Sequence, residues 1–256
     1  GEAGNIGARA LQAAADRVCE HLKTHPGERI DGLIADLVRD ARFAVGDRVQ
    51  VIAAVPCGDC HECRKGWMAV CQNQTSVGYQ YDGGFAEYMI VPPEVLRVDG
   101  LNRIPDGVGF DEASAVEPFA CAINAQEQLG IEEGDFTVVF GAGPIGCMHI
   151  RIARGVHRVG TVVLVDVNAE RLAMSAEAVQ PDVVIDASQV DVVEEVMRIT
   201  EKHGADVVVD SVGGAVLQGS ILSLAYRGRV STVGQAGRDR QKMDLSTLMG
   251  GNRTIS

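Results

Sequence analysis

Apolar positions along this chain change their spacing at residue 43 and again near residue 135. Over residues 1–42, Leu11, Ala15, Val18 and Leu22 recur at helical intervals, and Ile30, Leu33, Ile34, Leu37 and Val38 do so again. The breaker THPGE (24–28) separates the two runs, so a helical hairpin is expected there. From residue 43 the pattern is extended. FAVGDRVQVIAAV (43–55) reads as a strand with a Gly-Asp turn, and GGFAEYMIVPPEVL (83–96) as a strand ending at a proline pair. A helix is expected near 111–130. From residue 135, Val-rich runs alternate with helical spacing: DFTVVF (135–140), TVVLVD (161–166), DVVID (182–186), DVVVD (206–210) and RVSTVG (229–234). Runs that are apolar on both faces belong in a parallel sheet covered by helices on each side. The expected class is therefore α/β: a doubly wound parallel sheet over 126–256, a β-rich unit over 43–125, and a helical segment over 1–42.

Composition narrows the function. Hydrophobic residues make up 46% of the 256 positions, enough for a sizeable core. A formal net charge of -12 disfavours nucleic acid, whose phosphates need a basic footprint. No apolar run approaches the roughly 20 residues that span a bilayer. The first residues lack the basic and apolar regions of a secretory leader. A soluble, cytoplasmic protein that does not engage membranes is expected.

The strand ending at Phe140 runs into GAGPIG (141–146), which opens a helix. Such a motif is weak alone. Here a second strand ends in Asp166 at the fingerprint distance, and further αβ units follow. Gly141 permits the tight turn, Gly143 lets a pyrophosphate approach the backbone, and Gly146 lets the helix pack on its strand. Pro144 and Ile145 open the helix, whose N–H groups and dipole favour an anion. Asp166 is suited to accept both hydroxyls of the adenosine ribose and to repel a 2′-phosphate, so NAD is expected over NADP. Asn168 and Arg171 follow in NAER (168–171). Arg171 either stacks near the adenine or sits on a solvated helix face. Val212, Val233 and Gly234, at or past the carboxyl ends of later strands, are expected to line the same crevice.

Of seven cysteines, Cys57, Cys60, Cys63 and Cys71 fall in the order C-x2-C-x2-C-x7-C within 57–71. Four thiolates can close around a tetrahedral Zn²⁺ and leave no position for water or substrate, so a structural zinc is expected. His61 and Glu62 then point to solvent, and Trp67 covers one side of the lobe.

Taken in order, VGDRV (45–49), the cysteine lobe, GGFAEYMIVP (83–92), AVEPFACAINA (115–125), GAGPIG, VDVNAERL (165–172), GADVVVDSVGG (204–214) and GRVSTVGQAG (228–237) resemble the zinc-dependent medium-chain dehydrogenase/reductase family, and within it the sorbitol, threonine and other polyol dehydrogenases. The resemblance runs from about Phe43 to Ser256. It implies a GroES-like β-barrel domain beside a Rossmann domain, and hydride transfer between a secondary alcohol or polyol and NAD. It also implies a Lewis-acid zinc and assembly into a homodimer or homotetramer. Glu117, in the EP pair, matches a family position close to the catalytic metal; the alternative is a plain carboxylate at a helix start. The chain departs from the pattern too. LIADLVRDAR (33–42) stands where the family carries Gly-His-Glu, and Cys19, Glu20 and His21 have neither the spacing nor the context of metal ligands. The sequence ends at GGNRTIS where the family continues into a last strand and helix. The expectation is a member lacking the first part of its barrel and its tail. The alternative function is a catalytically incomplete NAD-binding protein with only the structural zinc.

Overall fold

The computed structural model describes Thr24 and residues 42–235 and 243–256. The helical hairpin expected over 1–42, with Cys19, Glu20 and His21, lies outside the described residues apart from Thr24 and Arg42. The chain divides into two compact units at Ala115/Val116, where the sequence pattern put the change after Ala125.

In the first unit the strands are short. β1 (Val49–Val51) and β2 (Ala54–Val55) precede helix α1 (His61–Arg64), β3 (Thr75–Ser76) and α2 (Pro93–Arg97), and β4 (Leu101–Arg103) and α3 (Phe110–Ser114) follow. β1 pairs antiparallel with β4, and β2 with β3. The turn before β1 is closed by the Asp47 carboxylate, which accepts from Ala44 N at 2.8 Å and pairs with Arg103 at 2.7 Å. The strand expected over 83–96 does not form. Residues 83–92 are irregular, and Pro93 starts α2 at its first turn. Proline has no N–H for a ladder and its fixed φ suits a helix start. Among the described residues no strand runs beside 83–92 to take up its backbone groups, and Phe85, Tyr88 and Ile90 are exposed.

The second unit begins with α4 (Val116–Leu129) and continues β5 (Phe136–Phe140), α5 (Pro144–Ile152), β6 (Thr161–Asp166), α6 (Ala169–Val179), β7 (Val183–Asp186), α7 (Val192–Ile199), β8 (Ala205–Asp210), α8 (Leu217–Leu222), β9 (Leu224–Thr232), α9 (Leu245–Gly251) and β10 (Thr254–Ile255). The sheet order is β10-β9-β8-β5-β6-β7, all parallel. In order of appearance this is 3-2-1-4-5-6, the arrangement of dinucleotide-binding folds, with its switch point beside β5. Alternate side chains of each strand enter opposite cores. Val139, Val162, Leu164, Val207 and Val209 meet Leu129 of α4, Ile150 of α5 and Leu172 of α6. Val138, Phe140, Val163, Val165, Val208 and Val230 meet Val196 of α7 and Ile221 of α8. β8 carries Val207, Val208 and Val209 with no exposed surface, which explains its unbroken apolar sequence.

β9 begins earlier than the sequence pattern predicts, at Leu224 instead of 229. Tyr-Arg-Gly looks like a turn, and Arg227 does take a left-handed conformation (φ 63°), but the chain holds its ladder to β8 through a register shift between Ala205 and Val207. The expected helix near 111–130 is broken at Ala115 into α3 and α4.

Candidate functional site

At the carboxyl end of β5 the backbone is shaped by what touches each glycine. Gly141 has φ 100°, and a Cβ there would lie 2.5 Å from Ser211 Oγ. A Cβ on Gly146 would lie 1.8 Å from Gly141 O, so α5 packs directly on the turn. A Cβ on Gly143 would meet nothing within 4 Å. No protein contact requires glycine at that position, and the open side is where a ligand would approach. Pro144, exposed, and Ile145, half-buried, form the first turn of α5.

β6 delivers Asp166 beside this turn. Its carboxylate is almost fully buried and its acceptors are filled. Oδ2 accepts from Ala142 N at 2.7 Å and Arg171 Nε at 3.0 Å; Oδ1 accepts from Asn168 N at 2.9 Å and Arg171 Nη2 at 2.6 Å. Burial pushes the carboxyl upward, but the Arg171 fork and the two backbone N–H groups outweigh it and hold Asp166 below the ordinary carboxylate range. Asn168 caps α6, its side chain accepting from Arg171 N at 2.8 Å. Arg171, exposed on α6, is tied to Asp166 by both of these guanidinium hydrogen bonds. Both line a cavity of about 290 Å³ with Gly141, Val212 and, from the start of α7, Asp191 and Val192. Val233 and Gly234 are not among the residues that line this cavity. Val233 packs against the core of the α5 face, and Gly234 lies backbone to backbone on Ser211, where a Cβ would be 2.4 Å from its carbonyl oxygen. Asp191 and Val192 were not singled out from the sequence. The local signal was there: Asp191 N-caps α7 by accepting from Glu194 N at 2.9 Å.

Glu117 lies exposed in the first turn of α4, where Cys121 donates to its Oε1 at 3.5 Å. Burial and the nearby Glu117 carboxylate push the Cys121 thiol up.

In the first unit, the sulfurs of Cys57, Cys60, Cys63 and Cys71 all lie within 4.8 Å of one another, with Cys57–Cys63 at 4.0 Å and Cys60–Cys71 at 3.9 Å. A tetrahedral zinc–thiolate site with Zn–S near 2.3 Å spaces its sulfurs about 3.8 Å apart, so the residues fit the ion. Cys57 N donates to Cys71 Sγ at 3.2 Å and Cys60 N to Cys57 Sγ at 3.3 Å. Burial, then the neighbouring thiols, push Cys63 up to about 12. His61 is exposed. Glu62 is half-buried, and Gln72 Nε2 donates to its Oε1 at 2.9 Å. Trp67 is the residue expected to cover one side of the lobe. It is 57% exposed, with the Lys65 ammonium 4.9 Å from its ring centroid.

Two family models match the chain, the alcohol dehydrogenase GroES-like domain over residues 11–99 and the zinc-binding dehydrogenase over 144–256. The chain belongs to the zinc-dependent medium-chain dehydrogenase/reductase family. The first match starts at residue 11, upstream of Phe43, where the resemblance read from the sequence begins. Among relatives of this family, a sorbitol dehydrogenase from Halalkalibacterium halodurans is 34% identical over 213 residues, covering 81% of this chain and 60% of that protein. An L-threonine 3-dehydrogenase from Shewanella woodyi is 30% identical, covering 83% of this chain and 61% of the other. An alcohol dehydrogenase from Escherichia coli CFT073, solved with NADH, superposes with a TM-score of 0.75 at 27% identity, covering 85% of this chain and 62% of the other. A zinc-binding dehydrogenase from Sinorhizobium meliloti, bound to NADP, gives the same TM-score and identity, with coverage of 86% and 63%. The chain thus spans about three-fifths of the length of these relatives. Among the described residues no helix is long and apolar enough to cross a membrane.

Proposed function

We propose that this chain, with its nucleotide-binding unit and zinc lobe, is an NAD-linked dehydrogenase acting on a secondary alcohol or polyol. The observation that carries this reading is the pairing of a turn whose Gly143 faces open space with a buried carboxylate at the end of β6. The sorbitol and threonine dehydrogenases among the relatives supply the substrate class. The turn at 141–146 and the first N–H groups of α5 would receive the pyrophosphate. Asp166, with Arg171 moved or shared, would hold the adenosine ribose. When bound, the nicotinamide supplies a hydride acceptor, and a catalytic zinc supplies Lewis acidity. Cys57, Cys60, Cys63 and Cys71 would hold a separate zinc that ties the first unit together. Glu117, exposed at the start of α4, would stand close to the catalytic metal, as a ligand or through its water. A cytoplasmic homodimer or homotetramer is the proposed assembly, which light scattering reads directly.

The test is NADH formation from NAD, Zn²⁺ and a panel of polyols and secondary alcohols. Turnover on one of them supports the reading, and none from folded, NADH-binding protein refutes its catalytic half. A second reading, a nucleotide-binding protein without catalysis, is favoured by one observation. Among the described residues, the four cysteines are the group of three or more metal-ligating side chains brought together, and Glu117 stands outside it. Zinc content separates the readings: about one per chain supports the second, and about two support the first.

A further inference from the structure

The carboxyl end of β8 holds a second buried carboxylate that the cofactor reading leaves without a role. Asp210 has no exposed surface. Its Oδ1 accepts from Val212 N at 3.0 Å and Gly213 N at 2.7 Å, and its Oδ2 accepts from Ser220 Oγ at 3.0 Å. Ser220, on α8, is itself fully buried. All three donors are neutral. Hydrogen bonds to an ionised acceptor are roughly twice as strong as neutral ones, and a buried carboxylate that lost them would bear its full desolvation cost. The carboxylate therefore fixes the turn at 211–213 firmly.

That turn is wedged between two others. Ser211 Oγ donates to Phe140 O at 2.7 Å and sits where a Cβ on Gly141 would fall. Gly213, at φ 65°, lies so close to the following loop that a Cβ would be 2.2 Å from Gly234 O. Val233 N donates to Asp210 O at 2.8 Å. Between these fixed neighbours, Val212 projects as a wall of the cavity that also holds Asp166. Asp210 is central to this arrangement: it sets the turn that carries Val212, and Ser220 anchors it from α8.

We propose that Asp210, supported by Ser220, is a positioning residue for the dinucleotide. It acts through the backbone of 211–213 and holds Val212 and the Ser211–Gly141 contact in the shape the cofactor meets. The proposal rests on the reading of the crevice as a dinucleotide site.

NADH affinity by fluorescence titration of the full chain, well below its melting temperature, tests it. Asp210→Ala removes the acceptor, and about a tenfold loss of NADH affinity is expected. Asp210→Asn keeps an oxygen for the two backbone N–H groups. Its amide can donate to Ser220 Oγ, which can then donate to Val216 O, 3.3 Å away. Affinity within about twofold of wild type is expected, a rescue by the isosteric side chain. Ser220→Ala is expected to lose about threefold. Val196→Ala, in the core beneath α7, serves as a control for a loss of stability alone. If Asp210→Ala lowers the melting temperature as the control does but leaves NADH affinity with it, the positioning role is overturned. Should Asp210→Ala fail to fold, unchanged affinity in Ser220→Ala overturns it equally. Wild-type protein that binds neither NADH nor NADPH refutes the underlying cofactor reading instead.

Discussion

The sharpest stability prediction concerns a histidine that the chemistry does not use. His149, on α5, has no exposed surface and faces Gln126 of α4, which is equally buried. Gln126 Nε2 lies 2.9 Å from His149 Nδ1 and 2.8 Å from the His149 carbonyl oxygen. The carbonyl can only accept, so it fixes the amide with its NH₂ toward the histidine. Nδ1 must then accept the second N–H, and the imidazole carries its single proton on Nε2. Protonating the ring would put an N–H against the Gln126 amide and create a charge in an apolar layer. Burial accordingly holds His149 down to about 4, against 6.5 for the ordinary side chain.

The folded value lies below the unfolded one, so protons favour the unfolded chain. The stability at stake is intact above pH 6.5, is lost progressively as pH falls, and levels off near pH 4. At about 1.4 kcal/mol per pH unit the whole loss is roughly 3 kcal/mol, a large part of the 5–15 kcal/mol typical of a domain. Carboxylates also begin to protonate in this window, so the quantity to measure is a difference. His149→Gln keeps a polar side chain of similar reach and cannot titrate. Urea unfolding of both proteins at pH 8, 6.5, 5 and 4 should show the wild type falling further, by about 1–2 M in midpoint at pH 4 for a urea m-value near 2 kcal/mol/M. Parallel pH profiles for the two proteins would refute the buried-neutral histidine.

The glycines of the nucleotide turn should separate binding from folding: Gly146→Ala, with its Cβ 1.8 Å from a carbonyl oxygen, should lower the melting temperature by several degrees, whereas Gly143→Ala should leave it unchanged and weaken NADH binding, both read by thermal melts and titration. Asp166→Ala should cost NADH about tenfold in affinity and NADPH less, because the carboxylate that would hold the ribose diol also repels a 2′-phosphate; equal losses for both nucleotides would remove Asp166 from ribose recognition. Cys63→Ser, or a strong chelator on the wild type, should release one zinc per chain and expose the 57–71 lobe to proteolysis, measured by metal analysis and limited digestion; full zinc retention in Cys63→Ser would rule out the four-thiolate site.

What the sequence disclosed is mostly what local spacing controls. The turn at 141–146, Asp166 and the four cysteines were legible because each rests on residues close together in the chain, where a φ value or a ligand interval leaves a signature. The strand expected at 83–96 failed because a strand is a pairing and not a segment property, and its partner cannot be read from its own alternation. The early start of β9 was hidden because Tyr-Arg-Gly has turn composition, and only the neighbouring β8 keeps the left-handed Arg227 within a ladder. Asp210 and Ser220 were written in plain view, ten residues apart, yet nothing local says that both are buried or that one bonds the other.

Arg171 shows where motif and geometry part. The fingerprint treats the acid at the end of β6 as a free acceptor waiting for a ribose. In this protein all its acceptor positions are taken, two of them by Arg171. On the proposed function, ribose recognition is then an exchange: the diol gains hydrogen bonds to Asp166 only as the guanidinium gives up its own. The net gain per bond is smaller than for an empty carboxylate. The pair with Arg171 also keeps the charge of Asp166 compensated in the free protein, which is what allows an acid so deeply buried to stay ionised. Removing Arg171 therefore has two opposing effects, freeing acceptors for the ribose and stripping the acid of its partner. The pH dependence of NADH binding tells them apart. An Arg171→Ala protein that binds NADH more tightly at pH 8 but loses affinity toward pH 5 would show both at once.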